Sequence, residues 1–437
     1  MDTKQPNEDQ AISWEYFPDT DTLIRYLNRK DLVELSKCNR FYRKQLEREV
    51  LKNIDINTWI DSNKDIIREL DEVDCSKEIL EFLKADLGTK LKFAKKCNLD
   101  CDLVFDDEDS FGDSFGDIFV KLLPNIKTIR YSCCEYPLYS WDQYPCSWRQ
   151  SLVTIFSHLS HLEHIEMDYN YEDGLLYIPK KQIFSKSLKS LIINFQNIPY
   201  DYHINGDYFE IYETVDASYV NLSAITIFSN KMLQNLSSGM PNLQEVEIRK
   251  YLSLDKLILL AFLKSNPQLR KLKFFPVNCN EILKILLSSK YLQYLSIYQL
   301  NLEEAEVNSL PSNHSIKYLE IDYYPSASLS LKIINACKSL QTLYLRYYTC
   351  LKSLEWSKFE RRIDILKLPF DKYSLNIIKE IDASRVFNNI HIESRYNLDE
   401  NDIKQYIDEI NSLKLSNYKF ITLTAKTFIL KLINKTS

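Results

Sequence analysis

The stretch of sequence that decides the fold reads LQYLSI at 292–297, IKYLEI at 316–321, LQTLYL at 340–345 and IDILKL at 363–368. Each segment has apolar residues at its first, fourth and sixth positions, and successive segments begin 24, 24 and 23 residues apart. The fourth and sixth residues point to the same side of a short strand, and the residue between them points to the other side. The pattern therefore predicts a series of strands that each have one buried face.

The same spacing of apolar residues continues on both sides of this stretch. A unit of one strand and one helix cannot bury its own apolar face, whereas stacked units can. Amphipathic patterns between the later strands predict helices at Leu254–Lys264, Glu281–Ser288, Leu329–Cys337, Leu354–Arg362, Tyr373–Ile381 and Asp399–Ile410. The first apolar residues of the predicted strands are Ile126, Leu162, Leu188, Leu222, Leu243, Leu269, Leu292, Ile316, Leu340, Ile363, Phe387 and Tyr418.

This alternation of strands and helices resembles the leucine-rich repeats of the ribonuclease-inhibitor type. The resemblance covers residues 121–437 and implies an α/β solenoid of about 12 repeats with a parallel sheet on its concave side. The asparagine that forms a ladder in that family is largely missing from this sequence. The alternative is an α/β parallel sheet without true repetition.

Side chains that flank the buried strand positions should point away from the core and line the concave face. On neighbouring strands this rule brings together several tyrosines and one arginine, which are residue types enriched at protein-binding hot spots. The same rule places Glu245, Glu247, Arg249 and Asp322 on this face. The alternative is that the tyrosines reflect only the composition of the chain, which contains 29 of them. The predicted substrate-binding residues are Lys271, Lys273, Tyr294, Tyr298, Tyr318, Glu320, Tyr344 and Arg346.

A different pattern precedes the repeats. Residues 14–43 read WEYFPDTDTLIRYLNRKDLVELSKCNRFYR and predict three short helices. The first covers Asp19–Leu27, Asn28 caps the second, and Asn39 caps the third. In the second helix, apolar residues at a spacing of three form one narrow face.

This helical segment resembles an F-box. Phe17 and Pro18 match the opening apolar–proline pair of that family, and Asp31–Arg43 matches its D-L-x-x-L-S stretch. The resemblance implies a helical head at 12–58 that docks on a Skp-type adaptor of an SCF-type cullin–RING ubiquitin ligase. If Leu32 and Phe41 face the interior of the head, they stabilise its fold instead of contacting the adaptor. The alternative for the whole segment is a helical cap that covers the first repeat. The adaptor-binding residues that the resemblance implies are Phe17, Pro18, Leu23, Ile24, Leu27, Leu32, Leu35 and Phe41.

The remaining segments are predicted to connect these parts. Residues 1–11 form a flexible N-terminus, and residues 59–120 form a helical linker and solenoid cap. Within the linker, Ile66–Val73 and Ser76–Leu91 are predicted helices, and Cys101–Asp107 is predicted to be a degenerate first strand.

Composition excludes several classes of function. The chain has 437 residues, a net charge of −6 and only six glycines, which disfavours nucleic-acid binding and phosphate-cradling glycine loops. The longest apolar run, near Leu257–Leu263, is far shorter than the roughly 20 residues that span a bilayer. No secretory signal is evident, and the ten scattered cysteines indicate a reduced compartment, cytoplasmic or nuclear.

No pattern in the sequence predicts catalysis or a metal site, and we expect no cofactor. The one histidine cluster, His158, His161 and His164, alternates with core residues instead of converging on one point. The favoured function is therefore a non-catalytic substrate receptor of a ubiquitin ligase, whose partners are the adaptor and an unknown substrate protein. The alternatives are an interaction scaffold without a ubiquitin link and, less favoured, an inhibitor similar to ribonuclease inhibitor.

Overall fold

The fold is described by a computed structural model in which the chain divides between Leu162 and Glu163 into two compact units. The unit that ends at Leu162 is called the first unit here, and the other the second unit. The structure describes residues 20–38, 40–63, 75–100, 114–132, 147–170, 182–196, 212–249, 254–274, 279–299, 302, 307, 309–323, 326–346, 354–370, 372–394, 400–423 and 427–433.

The first unit begins with three helices and continues with short strands and helices. Its strands pair in parallel in the order β1, β2, β3. A 3₁₀ helix at Gly88–Phe93 leads into the second strand. The elements are α1 (Thr20–Tyr26), α2 (Arg29–Cys38), α3 (Arg40–Val50), β1 (Asn53–Asp55), α4 (Ile56–Ser62), α5 (Cys75–Leu87), β2 (Lys96–Asp100), α6 (Phe115–Leu122), β3 (Thr128–Ser132) and α7 (Ser147–His158).

The helical head has a small core of its own. Leu32, Tyr42 and Leu46 are buried together, and they come from the facing sides of α2 and α3. The Asn28 side chain accepts a 3.0 Å hydrogen bond from the Asp31 backbone N–H, as expected of the cap of α2. The predicted cap Asn39 and the predicted pair Phe17 and Pro18 lie outside the described residues.

The second unit is built on strands that follow one another in chain order. From β4 to β13, every pair of sequential strands is parallel. The strands are β4 (His164–Asn170), β5 (Ser190–Gln196), β6 (Ala224–Ile227), β7 (Glu245–Ile248), β8 (Lys271–Phe274), β9 (Tyr294–Gln299), β10 (Tyr318–Tyr323), β11 (Thr342–Leu345), β12 (Ile363–Pro369), β13 (Phe387–Glu393), β14 (Tyr418–Leu423) and β15 (Thr427–Leu432).

Helices or short turns connect these strands. A 3₁₀ turn at Tyr212–Thr214 precedes β6, and another at Trp356–Lys358 precedes β12. The sequence predicts a helix over Leu354–Arg362, but the structure has only the 3₁₀ turn at Trp356–Lys358 there. That prediction was wrong. The helices are α8 (Asn230–Leu236), α9 (Lys256–Ser265), α10 (Asn280–Ser288), α11 (Ala327–Ala336), α12 (Lys372–Ser384) and α13 (Glu400–Ser412).

Each of the twelve predicted strand positions lies at or within a few residues of an observed strand. Leu319 on β10 pairs with Leu295 on β9 and with Leu343 on β11, so the central apolar positions occupy adjacent rungs. Strand and connecting segment thus alternate along a mostly parallel sheet, which is the arrangement of leucine-rich repeats.

The C-terminal end departs from the predicted parallel order. β15 lies between β13 and β14 and is antiparallel to both. The predicted last strand at Tyr418 therefore does not pair with β13 directly. In the first unit, β1 and β2 are additional strands, while the predicted helix Ile66–Val73 and strand Cys101–Asp107 lie outside the described residues.

Two buried asparagines tie neighbouring turns together. The Asn313 side chain donates to the backbone oxygens of Leu287 at 2.9 Å and Ser289 at 2.8 Å, and it accepts from the Ile316 N–H at 2.7 Å. Asn266 similarly donates to the Leu236 oxygen at 3.2 Å. Both residues precede a strand and satisfy buried backbone groups that would otherwise lack partners.

Candidate functional site on the open face of the second unit

The side chains that alternate with the buried strand residues form one continuous face, called the open face here. On it, Lys271, Tyr294, Tyr318 and Thr342 are successive partners across β8 to β11. The next row contains Lys273, Ser296, Glu320, Tyr344 and Lys367, again one residue from each strand. This register brings most of the predicted substrate-binding residues together.

Tyr294 and Tyr318 form the centre of the open face. Their rings are 4.4 Å apart between centroids and inclined by 9°, so they stack face to face. Such aromatic pairs contribute beyond the area that they bury. The Lys271 ammonium lies 5.8 Å from the Tyr294 ring centroid and thus within the range of a cation–π interaction.

The carboxylate of Glu320 organises this centre. It accepts a 2.6 Å hydrogen bond from the Tyr294 hydroxyl and lies 2.7 Å from the Arg346 Nε. Asp322 is the second carboxylate near Arg346, at 3.5 Å from its Nη1. Glu320 and Asp322 are each only 2% exposed. Glu320 therefore positions the Tyr294 and Arg346 side chains, and its own carboxylate is not accessible to a partner.

Arg346 is the charged group of this centre that reaches solvent. Its side chain is 38% exposed, and its guanidinium lies 5.6 Å from the Tyr344 ring centroid. Burial lowers the pKa of Arg346, but the carboxylates of Glu320 and Asp322 outweigh that effect and the net shift is upward. The guanidinium is therefore fixed in both position and charge.

Burial also acts on the two stacked tyrosines. It raises the pKa of Tyr294 far above the ordinary value, and the neighbouring Glu320 carboxylate raises it further. The pKa of Tyr318 is raised for the same two reasons. Both hydroxyls therefore stay protonated at a higher pH than an ordinary tyrosine and keep their ability to donate hydrogen bonds.

Ion pairs between adjacent strands extend on both sides of the tyrosine pair. Lys271 lies 2.9 Å from Glu245, and Lys273 lies 3.6 Å from Glu247. On the other side, Lys367 lies 2.7 Å from Glu393. These pairs neutralise much of the charge of the face, so the aromatic rings and Arg346 are its distinguishing features.

The last predicted substrate-binding residue, Tyr298, lies on the same side of β9 as Tyr294. Tyr298 on β9 and Tyr344 on β11 are both half-buried. Sequence reasoning placed Asp322 and Glu247 on the face but did not include them among the binding residues, although both form ion pairs there. The sequence signal that could have identified them is an acidic residue on one strand opposite a basic residue on the next strand, as with Glu247 and Lys273.

The predicted adaptor-binding residues divide between the interior and the surface of the head. Leu32 is 7% exposed and belongs to the core of the head, whereas Phe41 is 63% exposed. Leu32 therefore faces the interior of the head and stabilises its fold. The others are partly buried against that core: Leu23, Ile24, Leu27 and Leu35.

Two features are absent from the described residues. No group of three or more His, Cys, Asp or Glu side chains is placed to hold a metal ion within them. In the same part of the chain, no helix combines the length and the apolar character that crossing a membrane requires.

Comparison with known proteins gives a likeness to a solved structure. No protein-family model matches the chain, and no curated protein sequence matches it. Among solved structures, the crystal structure of a TLR13–ssRNA13 complex is similar to this chain at 14% sequence identity with a TM-score of 0.27. The match covers 64% of this chain and 44% of that one, so this chain spans less than half the length of that protein.

Proposed function

We propose that this protein is a non-catalytic recognition subunit whose open face binds a partner protein. The observation that supports this role is the stacked pair Tyr294 and Tyr318, in which the Tyr294 hydroxyl is hydrogen-bonded to Glu320. Rings that are ordered before binding lose less conformational entropy when a partner packs on them. Tyrosine and arginine are also the residue types that dominate binding energy at protein interfaces.

The charge pattern of the open face favours a partner recognised by contact and not by long-range attraction. The lysines of the face lie beside carboxylates of the same face, as in the pairs Lys271–Glu245 and Lys367–Glu393. Compensated charges steer association weakly. Partner binding should therefore depend on the aromatic side chains and only modestly on salt concentration.

The test of this role is to replace Tyr298 and Tyr344 by alanine in the full chain. Affinity purification from cells should then recover less of the proteins that wild type recovers, while the melting temperature changes little. The matched control is Tyr291→Ala, because Tyr291 is 58% exposed and precedes β9 instead of lying on the open face. Unchanged recovery with the double variant would contradict the proposal.

We further propose that the helical head docks on a Skp-type adaptor, which would make the protein a substrate receptor of an SCF-type ubiquitin ligase. The exposed Phe41 beside the core of the head supports this role, since phenylalanine is among the residue types enriched at protein interfaces. Co-expression with the adaptor followed by size-exclusion chromatography should give one 1:1 complex.

Single variants of the head make this test specific. Burial of a phenylalanine contributes about 1.5–3 kcal/mol, so Phe41→Ala should weaken the complex by about tenfold or more. The head should remain helical by circular dichroism. Tyr26→Ala is the control, because Tyr26 is also exposed but is not among the predicted adaptor contacts.

The second candidate function is an interaction scaffold without a ubiquitin link. The placement of Leu32 inside the head favours it, because a residue expected at the adaptor contact contributes to the core instead. Among the described members of the predicted docking set, Phe41 alone is exposed. Two separate peaks in the co-expression experiment would support the scaffold and contradict the adaptor role.

A further inference from the structure

A basic cavity of about 350 Å³ lies in the first unit, where the chain enters β1 and β2. Four cationic side chains line it: Arg48, Lys52, Lys92 and Lys95. The one carboxylate in its lining belongs to Glu49. At neutral pH the lining therefore carries an excess of three positive charges, in a chain whose net charge is −6.

Backbone hydrogen bonds bring the residues that carry these cations together. The N–H groups of Lys95 and Lys96 both donate to the Lys52 carbonyl oxygen, at 2.8 and 2.9 Å. The two segments that enter β1 and β2 are thus bound side by side. On the next segment, the Asn125 side chain donates to the Lys92 oxygen at 3.2 Å, and Asn125 also lines the cavity.

The cations of the cavity are poorly neutralised. Lys52 lies 3.4 Å from Glu49, which is a long ion pair. Within the described residues, no carboxylate forms an ion pair with Arg48, Lys92 or Lys95. Lys90, close by in sequence, contrasts with them because it lies 2.7 Å from Glu47.

Helix ends explain only part of this cluster. Arg48 lies in the last turn of α3, and Lys92 lies in the last turn of the 3₁₀ helix. There the negative end of the helix dipole favours a cation. Lys52 and Lys95 follow those helices, so the dipoles do not account for them. Like charges that converge on one concave space repel one another unless an anion lies between them.

We propose that this cavity binds a small anion that carries several phosphate groups. The excess charge exceeds what one carboxylate or one sulfate neutralises, and lysine ammonium groups bind phosphate as mobile point charges. The amide of Asn125 adds a neutral hydrogen-bonding group to the wall. This site is independent of the open face and of the adaptor contact, so its test does not depend on either.

The experiment is a titration of the full chain with tripolyphosphate by calorimetry in about 0.1 M salt, where exposed charges are screened beyond roughly 10 Å. Wild type should bind one equivalent and should melt at a higher temperature with the anion present. The variant Lys92→Gln with Lys95→Gln should bind about tenfold more weakly or not at all, because two charge-assisted contacts are lost.

A control of equal charge tests whether the site is specific. Lys37→Gln with Lys84→Gln also removes two positive charges, but these lysines are exposed, pair with Glu34 and Glu81, and do not line the cavity. Binding by this control should equal that of wild type. Equal weakening by both double variants would overturn the proposal, because the anion would then sense only net charge.

Three competing ligands define the chemistry of the anion. Sulfate at equal ionic strength should compete poorly with tripolyphosphate, and equal competition would indicate an adventitious ion only. Hexaglutamate should also compete poorly, and tighter binding of that peptide would overturn the proposal in favour of an acidic protein segment. If the double variant fails to fold by circular dichroism, Arg48→Gln is the replacement variant and should weaken binding in the same way.

Discussion

The Tyr294 hydroxyl on β9 donates a 2.6 Å hydrogen bond to the Glu320 carboxylate on β10, and that carboxylate also lies 2.7 Å from Arg346 beyond β11. One buried acid thus joins three neighbouring strands at the centre of the open face. Its removal would leave the partly buried guanidinium without its nearest counter-ion and the partly buried Tyr294 hydroxyl without its acceptor, which costs more than losing an exposed contact.

Replacement of this acid should therefore destabilise the second unit. We expect Glu320→Ala to lower the free energy of unfolding by about 2 kcal/mol, which is less than for a fully buried pair because Arg346 retains access to water. Urea denaturation measures this difference. Glu245→Ala is the control, because its pair with Lys271 is exposed on both sides and should contribute less than about 1 kcal/mol. Equal losses for the two variants would show that burial of Glu320 contributes nothing.

The buried asparagine before β10 gives a second prediction. In Asn313→Ala, the oxygens of Leu287 and Ser289 and the N–H of Ile316 lose their side-chain partner. We expect the free energy of unfolding to fall by about 2–3 kcal/mol, because unsatisfied buried groups cost about 1–3 kcal/mol each and water can partly replace the amide. Thermal or urea unfolding measures the loss.

An exposed asparagine serves as the comparison for that variant. Asn242 donates one 2.8 Å hydrogen bond to the Val220 oxygen at the surface. Asn242→Ala should therefore cost less than about 1 kcal/mol. If both variants lost the same stability, the inter-turn role of Asn313 would be refuted.

The periodic apolar residues made the strands of the second unit predictable. Leu295, Leu319 and Leu343 are buried at matching register positions because an apolar residue at each turn is the simplest requirement of stacking. The register then follows, and with it the proximity of Tyr294 to Tyr318. The alternating pattern alone could not show that the Tyr294 hydroxyl and the Arg346 guanidinium would both contact Glu320.

Other features left a weaker signal or none. An alternation of apolar and polar residues looks the same for a parallel and an antiparallel strand. The sequence around Phe428 therefore could not show that β15 is antiparallel and lies next to β13. β1 has only three residues, Asn53–Asp55, which is too short for a pattern. Asn266 and Asn313 did leave a signal, since each stands three residues before the first apolar residue of a predicted strand.

Tyr219 gives a prediction about alkaline pH. Its ring is fully buried and its hydroxyl donates a 3.0 Å hydrogen bond to the Phe184 oxygen. Burial, with a smaller contribution from Asp216, raises the pKa of Tyr219 to about 12. Because the folded state holds this proton more tightly than the unfolded state, whose pKa is about 10, the stabilisation is complete below pH 10. It is lost as the pH rises from about 10 to about 12.

Unfolding free energies at two pH values test this sign. Between pH 9 and pH 11, Tyr219 should account for a loss of about 1 kcal/mol in wild type. In Tyr219→Phe, that part of the loss should be absent, although the variant starts from a lower stability because the hydrogen bond is gone. Parallel pH profiles for the two proteins would contradict the prediction.

The junction between α12 and β14 gives the last prediction. The Asp382 carboxylate is buried and accepts hydrogen bonds from the backbone N–H groups of Ser416 at 2.9 Å, Asn417 at 2.7 Å and Tyr418 at 3.1 Å. It therefore fixes the start of β14, the strand that pairs with β15 at the end of the sheet.

In Asp382→Ala these donors lose their acceptor, and we expect the free energy of unfolding to fall by about 3 kcal/mol. Hydrogen exchange should accelerate first in β14 and β15, because the junction holds the start of β14 and β14 pairs with β15. Asp408→Ala, which changes an exposed acid on α13, should leave exchange there unchanged, and uniform acceleration across β4–β13 in the Asp382 variant would show that the junction does not act locally.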